Sequence, residues 1–497
     1  MKNKFLFPFI FILTIMLSAC SSAGAISTYT IYLDDMPQNF DPQVADTDSE
    51  ILVLSNIYDG LFEYIDGAVV PNVCSSYTVS GDGLTYNFTL RQDSSFYLGK
   101  GKTQTVTAAD FAFGINRVLD AKTRSPYRSR FQNIAYAKAT GTYQLEIGLK
   151  AADSDFLYKL TLPGAYPCNE EFFSNTNGAY GLRVNDILSN GPYTISYLAD
   201  DDNSATLVRV DENKSAVSRI RIFRRDGADD IKTLYQTDKA SGFFAAYDEI
   251  KNLSGKVYSY ENQNFSMVLN PDVQSLSNQY TRGALAYYSY SMENSGANLA
   301  AVNPSRSLFN RSVLLGGSAV CDLMAEYTPG YMSQNPKEML NQGLEQAGLA
   351  QMEKLTILIP EDIKYSVIAE NINQLWQKNL GLFFSVQYLP NSEIAKRVED
   401  GDFDIAFVSS QPASSSPAGI LQPYSVYGGE IAGHIAALQG ASDSLQHIEC
   451  CHNDILEGAY IVPMCTDSRG YIHKSYFDNV AVNPFGSTVN LKYASVK

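Results

Sequence analysis

Between Asn335 and Ser410 short runs rich in β-branched residues alternate with amphipathic stretches, and few folds accommodate that pattern. Asn335-Pro336 opens a helix that Gly348 closes, in the order that helix caps require. Leu355 to Ile359 then reads as a strand, and Ile368, Ile372, Leu375, Trp376 and Leu380 form one helix face. Phe383 to Leu389 is a second strand, Ile394 to Val398 a short helix, and Phe403 to Val408 a third strand. Strands separated by helices predict a parallel sheet with crossover connections, and ligands bind such sheets beyond the carboxyl ends of their strands. The third strand, with Phe407 near its end, therefore delivers Ser409, Ser410 and Gln411 to where a ligand should lie. The run that follows, SSQPASSSPAG from Ser409 to Gly419, is polar and broken by proline, so a plain surface loop is the competing reading.

The earlier chain mixes strands and helices. Thr28 to Asp35 alternates as a strand, and Asn39-Phe40-Asp41-Pro42 ends it with turn residues. Ile51, Leu54, Ile57, Tyr58, Leu61 and Phe62 recur at helical spacing and predict a helix from Glu50 to Phe62. Gly81-Asp82-Gly83 is a turn, Thr85 to Leu90 a half-buried strand, and Thr107 with Asp110 caps a helix that runs to about Leu119.

At the start, Lys2 and Lys4 precede an uncharged stretch from Phe5 to Ala19, shorter than the roughly 20 apolar residues of a spanning helix. The pattern predicts an export signal. Leu17-Ser18-Ala19-Cys20 resembles a bacterial lipobox, which implies cleavage before Cys20 and a diacylglyceryl group on its sulfur; an ordinary signal cleaved near Ala25 is the alternative. Loss of residues 1–19 leaves 478 of 497, enough for two or three domains. The formal charge of −16 becomes −18 when Lys2 and Lys4 leave, which argues against nucleic acid as a partner. Cys20, Cys74, Cys168, Cys321, Cys450, Cys451 and Cys465 are too irregularly spaced for a disulfide framework, and the default for six of them is the buried free thiol.

GDGLTYNFTLR, VTAADFAFGINRVLD and Ser125-Pro126-Tyr127 resemble the signature region of the extracellular solute-binding proteins of peptide and nickel ABC importers. Asn39-Phe40-Asp41-Pro42, Ile57-Tyr58-Asp59-Gly60-Leu61, Asn190-Gly191-Pro192-Tyr193 and Tyr460-Ile461-Val462-Pro463 follow in the order of the family's oligopeptide-binding members. The resemblance implies a two-lobed α/β periplasmic-binding-protein fold of the Venus-flytrap type, with an extra α+β domain inserted in the first lobe. Transferred to this chain, residues 20–55, 160–261 and 464–497 make the first lobe, 56–159 the extra domain and 262–463 the second lobe. The family holds an extended peptide between its lobes, and a second-lobe aspartate meets the peptide's α-amino group. A gapless alignment puts Ser410 where relatives carry tryptophan and Ala413 where they carry that aspartate. It also places Glu50, Ile51, Tyr127 and Phe265 at or near other ligand contacts, beside Phe407, Ser409, Ser410 and Gln411; a core position is the competing reading for Ile51, Phe265 and Tyr127, and least so for Glu50, since a lone buried carboxylate is costly.

No nucleophile elbow, phosphate-binding loop or zinc-protease helix occurs, so no cofactor and no enzyme chemistry is expected. His447-Ile448-Glu449-Cys450-Cys451-His452 is the one metal-like cluster, but Leu445, Ile448, His452, Ile455 and Leu456 repeat at helical spacing and predict a packed helix. The expected function is a monomeric, lipid-anchored receptor outside the cytoplasm, which captures a peptide-like solute for an ABC permease and its ATPase. An exported hydrolase, or a receptor of the same fold for a non-peptide solute, is the alternative.

Overall fold

The computed structural model describes residues 27–199, 201, 203–211, 213, 215–227, 230–290, 302–315, 317–412, 416–440, 445–485 and 488–497. The export signal, Cys20 and Ala413 lie outside the described residues. No helix among the described residues is long and apolar enough to cross a membrane.

Tyr29 and Ile31 are buried on one face of strand Thr28–Leu33, which runs parallel to Arg219–Arg224. Ser204–Arg209 and Tyr193–Leu198 complete a four-stranded sheet on the far side of that strand. Helix Asp48–Ile57 packs against the sheet through Leu52, Val53 and Leu54. It stops at Ile57 rather than at Phe62, and the reason is a docking contact. Asn190 accepts a hydrogen bond from the Asp59 amide at 3.1 Å and donates one to the Asp59 carbonyl at 2.9 Å, which holds the chain extended beyond Tyr58. The Gly191 amide donates to the Ile57 carbonyl at 2.8 Å, and a Cβ on Gly191 would come within 2.7 Å of that oxygen. Leu61 and Phe62 then enter a different core.

That second core belongs to an antiparallel sheet of Cys74–Val79, Thr85–Leu90, Gln144–Leu149 and Ile134–Gly141, in that order. Helix Ala108–Leu119 buries Phe111, Ile115 and Val118 in the same core. At its start the Asp110 carboxylate accepts from the Thr107 amide and hydroxyl, both at 2.7 Å. Lys492 locks this unit to the first-lobe sheet: its buried ammonium bonds Asp59 at 2.8 Å and also Glu63, whose other oxygen accepts from the Tyr493 hydroxyl at 2.7 Å.

The second lobe follows the expected alternation. Helix Pro336–Gln346 is capped by Asn335, and Gly348 has φ +71. Strand Thr356–Pro360 pairs in parallel with Ser385–Leu389 on one side and Ile405–Ser410 on the other. Helices Ile363–Leu380 and Asn391–Asp400 make the crossovers. The third strand starts at Ile405, two residues later than its apolar pattern implies. Side chains replace the ladder before it: Asp404 accepts from the Thr356 amide at 2.8 Å, and Asn270 donates to the Phe403 carbonyl at 2.6 Å.

Two long antiparallel strands, Lys256–Leu269 and Ile461–His473, join the lobes. Phe265, Met267, Val462 and Cys465 lie in a second-lobe core, whereas Tyr471 packs with the first-lobe sheet and Ile472 in a small core beside it. The pairing register breaks between Glu261 and Gln263 and again between Phe265 and Ser266. Of the described cysteines, Cys74 sits in the inserted core, Cys465 and Cys451 in separate second-lobe cores, and Cys168 beside Arg117; all are free thiols.

Replacing Lys492 by Met is expected to leave Asp59 and Glu63 without the ammonium between them and to cost about 3–5 kcal/mol of unfolding free energy, read from the denaturant midpoint. Tyr493→Phe, which removes one bond to Glu63, should cost only about 1 kcal/mol. A second expectation concerns acid. Burial holds the His452 and His473 imidazoles below their ordinary range. The unfolded chain therefore takes up protons, near pH 6.5, that the folded chain refuses, and stability falls as pH drops below about 6.5. The urea midpoint should be lower at pH 5.5 than at pH 7.5, by a smaller margin in His473→Gln.

Candidate ligand-binding cleft

A cavity of about 280 Å³ opens where the lobes meet. Its first-lobe wall includes Asp46, Asp48, Ile51, Tyr127 and Lys492, and Gln411 reaches it from the end of the second-lobe strand. Arg130 and Leu162 line this cavity and also a neighbouring one of about 580 Å³, which Gly419 and Gln422 close from the second lobe. The two chambers adjoin across Arg130 and Leu162. A larger cavity of about 770 Å³ lies beside the joining strands, which contribute Glu261, Thr466 and Ser468 to its wall.

The parallel sheet explains the second-lobe edge. Ser409 is the last buried residue of its strand, held by Asn391, which accepts from its amide at 2.8 Å and donates to its carbonyl at 2.6 Å. Gln263 binds both the Ser409 hydroxyl, at 3.2 Å, and the Tyr365 hydroxyl, at 3.0 Å. Lys364 pairs with buried Asp467 at 2.7 Å beside them. Beyond this braced point Ser410 and Gln411 are exposed. Asp48 also reaches solvent, yet the surrounding walls strip its hydration: that desolvation raises its pKa, and the positive charge of Arg469 on a joining strand opposes the rise.

Three of the residues expected from sequence therefore share one cavity: Ile51, Tyr127 and Gln411. Tyr127 is anchored there, its hydroxyl donating to the Ala45 carbonyl at 2.7 Å. Three others sit elsewhere. Phe265 and Phe407 are core residues, 1% and 0% exposed, stacked with Tyr365 and packed near Trp376. Their strands are central in the sheet, so both faces are covered and an aromatic side chain there has no route to the cleft. Glu50 is turned inward as a clamp. Its carboxylate accepts from the amides of Gln38 and Asn39 on one oxygen and of Asp46 and Thr47 on the other, at 2.9–3.3 Å. The metal-like cluster splits across its helix. His452 accepts from the Leu308 amide at 3.4 Å and stacks on Phe309, while His447 meets His434 at 3.3 Å on another face. Among the described residues no group of three metal-ligating side chains converges.

Asp46, Asp48, Arg130, Gln263 and Lys492 were not legible as cleft or brace residues. Proximity to Tyr127 was the available signal for Arg130, and the helix-capping role of the 46–50 segment hid its acids. Glu50→Ala is expected to lower stability by about 1–3 kcal/mol, because four backbone amides lose a charged acceptor, and a thermal melt checks this. A residue that only touched ligand would leave the melt unchanged.

The family model described as bacterial extracellular solute-binding proteins, family 5 Middle, matches residues 68–430. The oligopeptide-binding protein AliA of Streptococcus pneumoniae is 30% identical over 203 residues, 36% of this chain and 31% of AliA. Against the curated oligopeptide-binding relatives AliA, SarA and AliB the matched region spans about a third of their length. The periplasmic murein peptide-binding protein MppA of Escherichia coli is 24% identical over 427 residues, 75% of this chain and 73% of MppA. The structure of HbpA2 from Haemophilus parasuis superposes with a TM-score of 0.76 at 17% identity, covering 95% of this chain and all of that one, which establishes the two-lobed fold. With a family match across most of its length, the chain belongs to the bacterial extracellular solute-binding proteins of family 5.

Proposed function

We propose that this chain is the lipid-anchored substrate-binding component of an ABC importer. It captures a peptide or peptide-like solute between its lobes and hands it unchanged to a membrane permease driven by its ATPase. The observation that supports this reading most is the cleft in which Ile51 and Tyr127 of one wall face Gln411 of the other. In this reading residues 20–55, 160–261 and 464–497 form the first lobe, 56–159 the inserted domain and 262–463 the second lobe, with Cys20 as the tether.

An extended peptide presents amide donors and acceptors along its length, and the Gln411 side chain and the exposed Ser410 hydroxyl can answer both. With alanine at position 413, Asp46 and Asp48 on the first-lobe wall offer an α-ammonium carboxylates that, unlike Glu63 beside them, are not tied to Lys492. Cargo closes the lobes only by as much as it prefers the closed form.

Native mass spectrometry of freshly purified protein is expected to show one retained small molecule per chain, and small-angle scattering a smaller radius of gyration when a pool of short peptides is added. Gln411→Ala should weaken binding about tenfold with an unchanged melt. The absence of both retained cargo and compaction with any peptide pool would overturn the reading, and turnover of a hydrolase substrate panel would replace it with an enzyme.

A further inference from the structure

The smaller chamber of the cleft combines an acidic rim with an aromatic floor. Asp46 and Asp48 form the rim: both are exposed, and neither carboxylate makes a hydrogen bond or an ion pair among the described residues. The walls already strip water from Asp48 and raise its pKa, so a cation beside it restores part of the lost solvation. Glu63 lines the chamber as well, but it and Asp59 hold the Lys492 ammonium between them. That cation is outnumbered. Arg130, at the junction with the neighbouring chamber, has no ion-pair partner among the described residues and repels a second cation from that side.

Tyr64, Tyr158, Tyr166 and Phe485 make the floor. The rings of Tyr64, Tyr158 and Phe485 meet edge to face, with centres 5.5–6.1 Å apart. Tyr158 is 5% and Tyr166 7% exposed, yet neither hydroxyl has a hydrogen-bond partner among the described residues. Neither oxygen is sealed from water, so both open on the chamber. Burial raises both phenols, which therefore stay protonated and keep lone pairs to offer a donor.

These features sort the possible occupants. An anion is repelled by two carboxylates without counter-charge. A neutral apolar group covers the rings but strips water from the acids and hydroxyls without giving them a donor. An α-ammonium carries its charge on the main chain, with no stem to lie on the rings. A guanidinium at the end of an apolar stem meets every requirement: the stem packs on the aromatic faces, and the planar fork of N–H donors reaches carboxylates and phenol oxygens together.

On the reading of this cleft as a peptide site, we infer that the chamber is a specificity pocket for a basic side chain of the cargo, arginine above lysine, with Asp46 and Asp48 as its counter-charges. Titration calorimetry of the full mature chain uses pentapeptides of alanine with one arginine at each position in turn, in two series with free and with acetylated amino termini. At least one is expected to bind about tenfold or more tighter than its citrulline counterpart, which keeps the shape and loses the charge. Asp46→Asn and Asp48→Asn should each cut that preference, the double variant should abolish it, and Tyr158→Phe should lower it about threefold. The ratio is the readout, because a loosened fold weakens both peptides alike. Equal binding of arginine and citrulline peptides would overturn the pocket while leaving the cleft a peptide site. A preference that survives the double substitution would overturn it too, as would binding that needs a free amino terminus and ignores arginine. Binding of no peptide in either series would remove the pocket and the peptide reading together.

Discussion

Everything in this molecule hangs on two strands that belong to two bodies at once. Lys256–Leu269 and Ile461–His473 pair along almost their whole length, so one ribbon runs from the second-lobe cores to the core of the first lobe. Their side chains obey different cores at either end: Cys465 answers to the second lobe and Tyr471 to the first. Between those ends the register breaks, and a broken register is where a ribbon can twist at low cost. The cleft lies where the two bodies face each other beside this ribbon, with Ile51 on one side and Gln411 on the other.

The alternation from Asn335 to Ser410 was readable because burial on one face imposes a period on each helix, and caps punctuate them. Asn335, Pro336 and Gly348 stand where the helix begins and ends. The Glu50–Phe62 helix was overestimated for a related reason. Leu61 and Phe62 keep the helical spacing by chance while serving another core, and the contact that ends the helix comes from Asn190, far away in the chain. Periodicity reports that a residue is buried; it does not report against what.

The candidate site shows the same limit more sharply. The strand end brings Gln411 to the wall of the cleft. Phe265 and Phe407 share those strands but lie where helices cover both faces. Glu50 seemed available because a lone enclosed carboxylate is costly, yet four amides of the preceding loop meet it, and that loop's shape cannot be read from residue types. Lys492 was invisible for the opposite reason: its two acids lie more than four hundred positions earlier.

The enclosed cysteines have a consequence of their own. Burial pushes the Cys74 thiol up to about 11 and those of Cys168, Cys451 and Cys465 to about 12, so all four sulfurs are inert while the fold is intact. Three of them occupy three different cores. The protein thus carries an internal set of chemical clocks: each sulfur becomes reactive only when its own surroundings come apart, and the sequence in which they are alkylated records which body loosens first.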